Sequence, residues 1–144
     1  MPFVKVMIHA VWGTKNREPL LTKEIRTQLI DHIRENALSK EIYIDSLDGY
    51  TEHLHCLFGL NADMSLSKAM QLIKGESAFW VNNKSGLIKS KFEWADEYFA
   101  ASVSELMLDK VRAYIQNQEE HHKKKTFMEE YQEFIDAYKF KNQG

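Results

Sequence analysis

The chain has 144 residues, 44% of them hydrophobic and 12% aromatic, which suits one compact domain with its own core and is too short for a two-domain enzyme. Nineteen Lys and Arg against 21 Asp and Glu leave a net charge of −2, which excludes a polycation that coats nucleic acid non-specifically and makes any such contact local. The lone cysteine, Cys56, cannot form an intrachain disulfide and no CxxC pair could hold a structural zinc, so a reducing cytoplasm is expected.

The opening segment, MPFVKVMIHAVWGTK, is interrupted by Lys5 and His9 and lacks the pattern of a signal peptide, and no run approaches the ~18 apolar residues of a membrane span. Residues 3 to 12, rich in Val, Ile and aromatics, predict a first strand closed by the loop from Gly13 to Pro19. With Thr22 as N-cap, Ile25, Leu29, Ile33 and Ala37 recur at helical spacing, so a helix is expected over 23 to 38. Ile42 and Ile44 alternate with polar residues, and Asp48-Gly49 between this run and EHLHCLFGL (52 to 60) predicts a hairpin turn.

From Ser65 onward, Leu66, Met70, Ile73, Ser77 and Trp80 mark one face of a second helix ending near 82 to 86. The aromatic run from Phe92 to Phe99 predicts a further strand. Ser102 and Glu105 fit a capping box that opens a third helix running to His121 or His122, where HHKKK favours the negative end of the helix dipole. Phe127, Tyr131, Phe134 and Tyr138 then predict a last helix over 127 to 140. The order strand, helix, strand, strand, helix, strand, helix is that of a split βαβ, ferredoxin-like α+β domain with an antiparallel sheet. It is read as a single domain over 1 to 144, with 126 to 144 a C-terminal extension.

His53 and His55 flank Leu54 on a predicted strand, so both imidazoles project from one face while Leu54 and Cys56 project from the other. Two adjacent imidazoles suit one divalent ion, although the same pair also fits two ordinary half-exposed strand histidines. An amidohydrolase barrel needs roughly 250 residues, and a histidine-triad hydrolase would want His where this chain has Leu57. Both are excluded. Tyr114 and Gln118, four residues apart, lie about 40° apart around their helix and share a face. A tyrosine near a metal can serve as a nucleophile, and an amide oxygen can ligate Mg²⁺ or Mn²⁺. Equally, Tyr114 could pack with Met107, Val111 and Ile115, with Gln118 as a polar edge.

HLH at 53 to 55, followed about sixty residues later by YIQNQ at 114 to 118, resembles the HUH single-tyrosine transposases of the insertion-sequence-200-like type (IS200/IS605), where U is a hydrophobic residue. HAVWGTKNREPLL at 9 to 21, SLSKAMQLIKGESAFWVN at 65 to 82 and FEWADEYFAASVS at 92 to 104 are similar to that family's segments, so the likeness covers about 10 to 122. It implies His53, His55 and Gln118 as ligands of a divalent metal ion, Mg²⁺ or Mn²⁺, and Tyr114 as nucleophile. Many members carry Asp just before the first His; here Glu52 stands there, a candidate to back the ligands or to join them. His121 and His122 are read as end-of-helix groups outside the site.

The implied reaction is cleavage and rejoining of single-stranded DNA, in which Tyr114 attacks a phosphate, a 3′-OH leaves and a 5′-phosphotyrosine conserves the bond energy. The implied partner is the hairpin end of an insertion sequence, and the implied assembly a homodimer with the tyrosine helix acting in trans. Lys68, Lys74, Lys84, Lys89, Lys91 and Arg112 are candidate phosphate contacts and Trp12, Trp80 and Trp94 candidate stacking groups. The competing readings are a catalytically silent single-stranded DNA-binding relative and a metal-dependent phosphodiesterase that uses water.

Overall fold

The computed structural model describes residues 3–138. Four strands, β1 (Met7–Gly13), β2 (Tyr43–Tyr50), β3 (His53–Gly59) and β4 (Phe99–Val103), form one sheet in the order β2-β3-β1-β4. Every neighbouring pair is antiparallel. Helix α1 (Lys23–Ser39) carries the chain from β1 to β2, and α2 (Leu66–Trp80) carries it from β3 to β4. Each crossover leaves room for one strand between the two it joins, which is the expected split βαβ arrangement.

The two long helices start where side chains replace missing backbone partners. Thr22 Oγ1 accepts from Ile25 N–H at 3.4 Å, and Ser65 Oγ accepts from Lys68 N–H at 3.1 Å. Leu29, Ile33 and Ala37 of α1 and Ala69, Met70 and Ile73 of α2 pack on the sheet face that presents Ala10, Trp12, Leu54, Cys56 and Phe58. Burial also drives the Cys56 thiol up to about 12, so it is an inert part of this core. On the opposite face lie Met7, His9, Val11, His53, His55 and Leu57. This face is covered by α3 (Leu108–Gln116), α4 (Gln118–His122) and α5 (Phe127–Tyr138). With a layer on each side, β1 is buried along its whole length. Among the described residues no helix is long and apolar enough to cross a membrane.

Several boundaries differ from the sequence reading. Residues 3–6 precede β1 as exposed, irregular chain. Asp48 and Gly49 do not turn the hairpin; they pair with His55 and Leu54 inside β2, and the turn falls at Thr51 and Glu52. Gly49 is required there by close approach, since a Cβ would lie 2.1 Å from the His53 carbonyl oxygen and 2.9 Å from Leu54 Cα. The aromatic run at 92 to 98 is not a strand beyond an isolated bridge from Trp94 to Thr14, because Phe92 and Trp94 are used as core plugs. Ser102 belongs to β4, and Ser104 takes the cap position before a 3₁₀ turn at Glu105–Met107. The third helix breaks at Asn117, whose φ of −105° and ψ of 25° separate α3 from α4. The last helix forms as α5; its expected final two residues, 139 and 140, lie outside the described chain.

Gly49→Ala should destabilise the protein by about 2–4 kcal/mol, because the clash is with backbone and no side chain can move to relieve it. A urea titration should show a lower midpoint with unchanged slope; an unchanged midpoint would show that the β2–β3 approach is looser than described.

Candidate metal and tyrosine site

Side-chain alternation along β3 puts His53 and His55 on the α3–α5 side, fully buried, and alternation along β1 adds His9 to them. Each HxH imidazole has an outer partner on Nδ1. His53 Nδ1 donates to Glu52 Oε1 at 2.7 Å, and His55 Nδ1 lies 2.9 Å from His9 Nε2, a diagonal neighbour across the β1–β3 pair. Both Nε2 atoms are thereby aimed at the same spot. Gly13, directly opposite His53, clears the space above it: a Cβ there would meet Phe127 Cε2 at 2.8 Å. The Phe127 ring uses that space to stack on His53, with centroids 4.1 Å apart and planes 4° from parallel.

Three helices supply the facing groups. Gln118 opens α4 and is fully buried; its Nε2 donates to the Tyr114 carbonyl at 3.2 Å, and its Oε1 sits 3.2 Å from His53 Nε2. The break at Asn117 therefore leaves Tyr114 and Gln118 adjacent. Arg26, itself buried, holds α4 through Glu119 at 2.8 Å. From α5, Glu130 Oε1 approaches His55 Nε2 at 3.0 Å, His53 Nε2 at 3.3 Å and His122 Nε2 at 3.5 Å. Its other oxygen accepts from the Tyr114 hydroxyl and lies 3.0 Å from His121 Nε2. The Tyr114 and His55 rings are 5.4 Å apart within the one chain.

The electrostatics follow from burial and pairing. Burial lowers His55 to about 4 and His9 to about 3, so both are neutral imidazoles at pH 7. Burial also opposes charge on His53, but the Glu130 and Glu52 carboxylates outweigh it and raise its pKa. Glu130 would be pushed up by burial, yet hydrogen bonds from His122, His53 and His55 hold it far below the usual carboxylate range. Burial and the adjacent Glu130 raise the Tyr114 phenol, so it rests as the neutral hydroxyl.

This donor set fits a hard divalent cation. His53 donates through Nδ1 to Glu52, and a cation can take the place of a proton on Nε2, which faces Gln118 Oε1 and Glu130 Oε1. A cation among them would be coordinated by all three. The separations of 3.0, 3.2 and 3.3 Å match adjacent corners of an octahedron with metal–ligand bonds of about 2.1 Å, whose edge is about 3 Å. The His53, His55 and Glu130 donor atoms lie within 4.8 Å of one another, as do those of His121, His122 and Glu130.

A family model described as "Transposase IS200 like" matches residues 3–118. The chain belongs to that family. The ISDra2 transposase TnpA of Deinococcus radiodurans is 24% identical over 114 residues, 76% of this chain and 81% of that one. A crystal structure of a transposase from Deinococcus radiodurans R1 superimposes with a TM-score of 0.61 and 25% identity, covering 81% of this chain and 93% of that one. The structure of a REP associated tyrosine transposase bound to a REP hairpin gives 0.59 and 19% identity, over 81% and 68% respectively, a likeness of fold.

In this IS200-like chain the described structure brings His53, His55, Gln118, Tyr114 and Glu52 together. The basic candidates lie elsewhere. Lys68, Lys74, Lys84, Lys89 and Lys91 belong to α2 and the segment after it, which packs on the opposite sheet face. Lys74 is spent on the carbonyls of Ala95, Asp96 and Glu97, and Lys91 pairs with Glu93. Arg112 grips Asp45 with two nitrogens and Asp109 with a third, pinning α3 to β2. Trp12 and Trp94 are buried against each other and Trp80 stacks on His32, so these indoles serve packing.

Two site groups escaped the sequence reading, His9 and Glu130, and two that it set aside as end-of-helix groups, His121 and His122, lie against Glu130. The signal for His9 was its phase on β1, which it shares with Val11 and which puts it on the HxH face once β1 pairs with β3. Glu130 had a weaker one, a carboxylate three residues after Phe127 and four before Phe134, in phase with the aromatic stripe of α5.

The Arg112 guanidinium beside Asp45 holds its carboxyl below the usual range, against the opposing pull of burial. A carboxylate with a depressed folded-state pKa contributes stability above its unfolded pKa and loses it as pH falls through the folded one. Asp45→Asn should therefore lower stability at pH 7 and weaken its dependence on pH below about 4; parallel stability curves for the two proteins would exclude this pair as a source of acid sensitivity.

Proposed function

We propose that this chain is a metal-assisted, single-tyrosine strand transferase for single-stranded DNA. The observation that carries this reading is that His53 Nε2 faces both Gln118 Oε1 and Glu130, that His55 Nε2 faces the same carboxylate, and that the Tyr114 hydroxyl is bonded to it. His53, His55 and Gln118 would hold the cation, with Glu52 and His9 orienting the two imidazoles from behind. A divalent cation there would polarise the scissile phosphate and stabilise its developing charge. Tyr114 attacks phosphorus: the Oη–P bond forms, the P–O3′ bond breaks, the phenolic proton passes to solvent and the 3′ oxygen takes one up from solvent, so the protons balance. Glu130 Oε2 accepts the hydrogen bond of the Tyr114 hydroxyl and so orients it. The resulting 5′-phosphotyrosine keeps the strand's bond energy for rejoining, so no nucleotide cofactor is called for.

The strand has a basic path to this tyrosine. A cleft of about 590 Å³ opens beside Tyr114, lined by Lys110, His121, Lys124 and Lys125 with Glu120 among them, and Lys125 is paired with Glu133. Its lysines suit backbone phosphates better than those on the α2 layer, which the sheet separates from the histidines. Hairpin DNA as the substrate is supported by the REP hairpin bound to the REP associated relative. The water-using phosphodiesterase reading leaves Tyr114 as packing, whereas its hydroxyl is directed at a buried carboxylate beside the histidines.

Incubated with single-stranded DNA that carries the flanks of its own element, the protein should form an adduct that survives denaturing electrophoresis. Tyr114→Phe should abolish the adduct while the protein keeps its fold and DNA binding, and chelation should stop cleavage until Mg²⁺ or Mn²⁺ is restored. Undiminished adduct in Tyr114→Phe would overturn the nucleophile.

On assembly, the resemblance implies a homodimer with tyrosine in trans, while the intrachain approach of Tyr114 to His55 favours catalysis in cis. Mixing His53→Ala with Tyr114→Phe protein under conditions of subunit exchange separates the two. In cis every site stays broken and activity stays absent; recovery would show that the tyrosine helix serves the partner's histidines.

A further inference from the structure

We infer that Glu130, on the C-terminal helix α5, is a fourth protein ligand of the cation. This rests on the proposed metal site and adds to it a residue beyond the family segment, which ends at Gln118.

The donor atoms have the spacing that ligands of one cation would have. Glu130 is 1% exposed, and its Oε1 is the atom on which the imidazoles converge, at 3.0 Å from His55 Nε2, 3.3 Å from His53 Nε2 and 3.5 Å from His122 Nε2. A buried carboxylate is costly unless positive charge meets it, and a cation held by His53 and His55 would supply that charge where Glu130 lies. Two imidazoles and an amide are uncharged donors; one carboxylate oxygen supplies the hard, anionic ligand that Mg²⁺ and Mn²⁺ prefer. Four protein donors would still leave room at the cation for oxygens of a phosphate. The aromatic residues of α5 fix the carboxylate: Phe127 stacks on His53, and the Phe134 ring stands edge-on to His9 at 5.5 Å and to Tyr114 at 5.9 Å. With Oε1 on the cation and Oε2 on the Tyr114 hydroxyl, one side chain joins the metal to the nucleophile.

The test is calorimetric titration of the full chain with MnCl₂ alone, without DNA, comparing wild type, His53→Ala, Glu130→Gln and Asp136→Asn. Glu130→Gln keeps the shape and removes the charge, and it should weaken Mn²⁺ binding tenfold or more. Asp136→Asn removes the same charge from an exposed position on α5 and should leave the affinity unchanged. Wild-type affinity in Glu130→Gln alongside lost binding in His53→Ala would overturn the Glu130 ligand and leave the histidine site standing. Wild-type affinity in His53→Ala, or no binding by the wild type, would overturn the site itself and Glu130 with it.

Should Glu130→Gln fail to fold, hydrogen exchange of the wild-type protein with and without Mn²⁺ decides. Slower exchange in α5 as well as in β3 is expected; slowing in β3 with α5 unchanged would overturn the inference.

Discussion

Burying imidazoles side by side is the constraint around which this protein is organised. A histidine inside a protein needs a partner at each ring nitrogen, and the β-pleat commits His9, His53 and His55 to the same interior face. Their partners cannot come from the sheet alone, whose face next to them offers Met7, Val11 and Leu57. They come from Glu52 in the β2–β3 turn and from Gln118 and Glu130 on the helices after β4. The second helical layer therefore does more than cover apolar surface: without it the histidine face would be polar, inward-pointing and unsatisfied. The same layer delivers Tyr114, so closing the fold and bringing the tyrosine to the histidines are one event.

The sheet thus separates two kinds of work. On the α1–α2 side, Trp12, Phe58, Phe92 and Met70 make an apolar interior with little polar content beyond Ser77, whose hydroxyl accepts from Trp94 Nε1 at 2.9 Å. On the α3–α5 side the interior is aromatic and titratable. Cys56 and His55 are adjacent in sequence and equally buried, yet one is an inert core group and the other part of a polar cluster. The difference is strand phase, and a one-residue slip of β3 would exchange the two faces.

That phase is what made much of the fold readable from sequence. The HxH pair needed only the two-residue period, and the caps Thr22 and Ser65 needed only a polar side chain before a helical stripe; each signal is local and agrees with the tertiary structure. The misreadings share a different cause. Asp48-Gly49 has turn chemistry, but Gly49 is demanded by the approach of β3 backbone, a fact of pairing that composition does not carry. Ser102 to Glu105 matches a cap by spacing, yet β4 claims Ser102 as a partner of Ile8 and shifts the helix start to Ser104. The aromatic run at 92 to 98 has strand propensity, but only Trp94 there makes a bridge, since Phe92 and Trp94 are drawn into the core. In each case a long-range contact overrode a correct local preference.

The polar cluster was less legible because its members lie far apart in the chain. His9 and Glu130 are separated by nearly the whole chain and meet through His55, which contacts both. No spacing rule connects them. Glu130 also lies past Gln118, where the family segment ends, so membership in the IS200-like family does not bring it into view. Yet the aromatic stripe that predicts α5 is what places the carboxylate. Phe127 and Phe134 flank Glu130 on the helix and both pack over the histidine face, so the intervening turn must point into the same layer. A hydrophobic stripe interrupted by one acidic residue is a buried carboxylate awaiting positive charge, and the histidine face is where this fold can supply it.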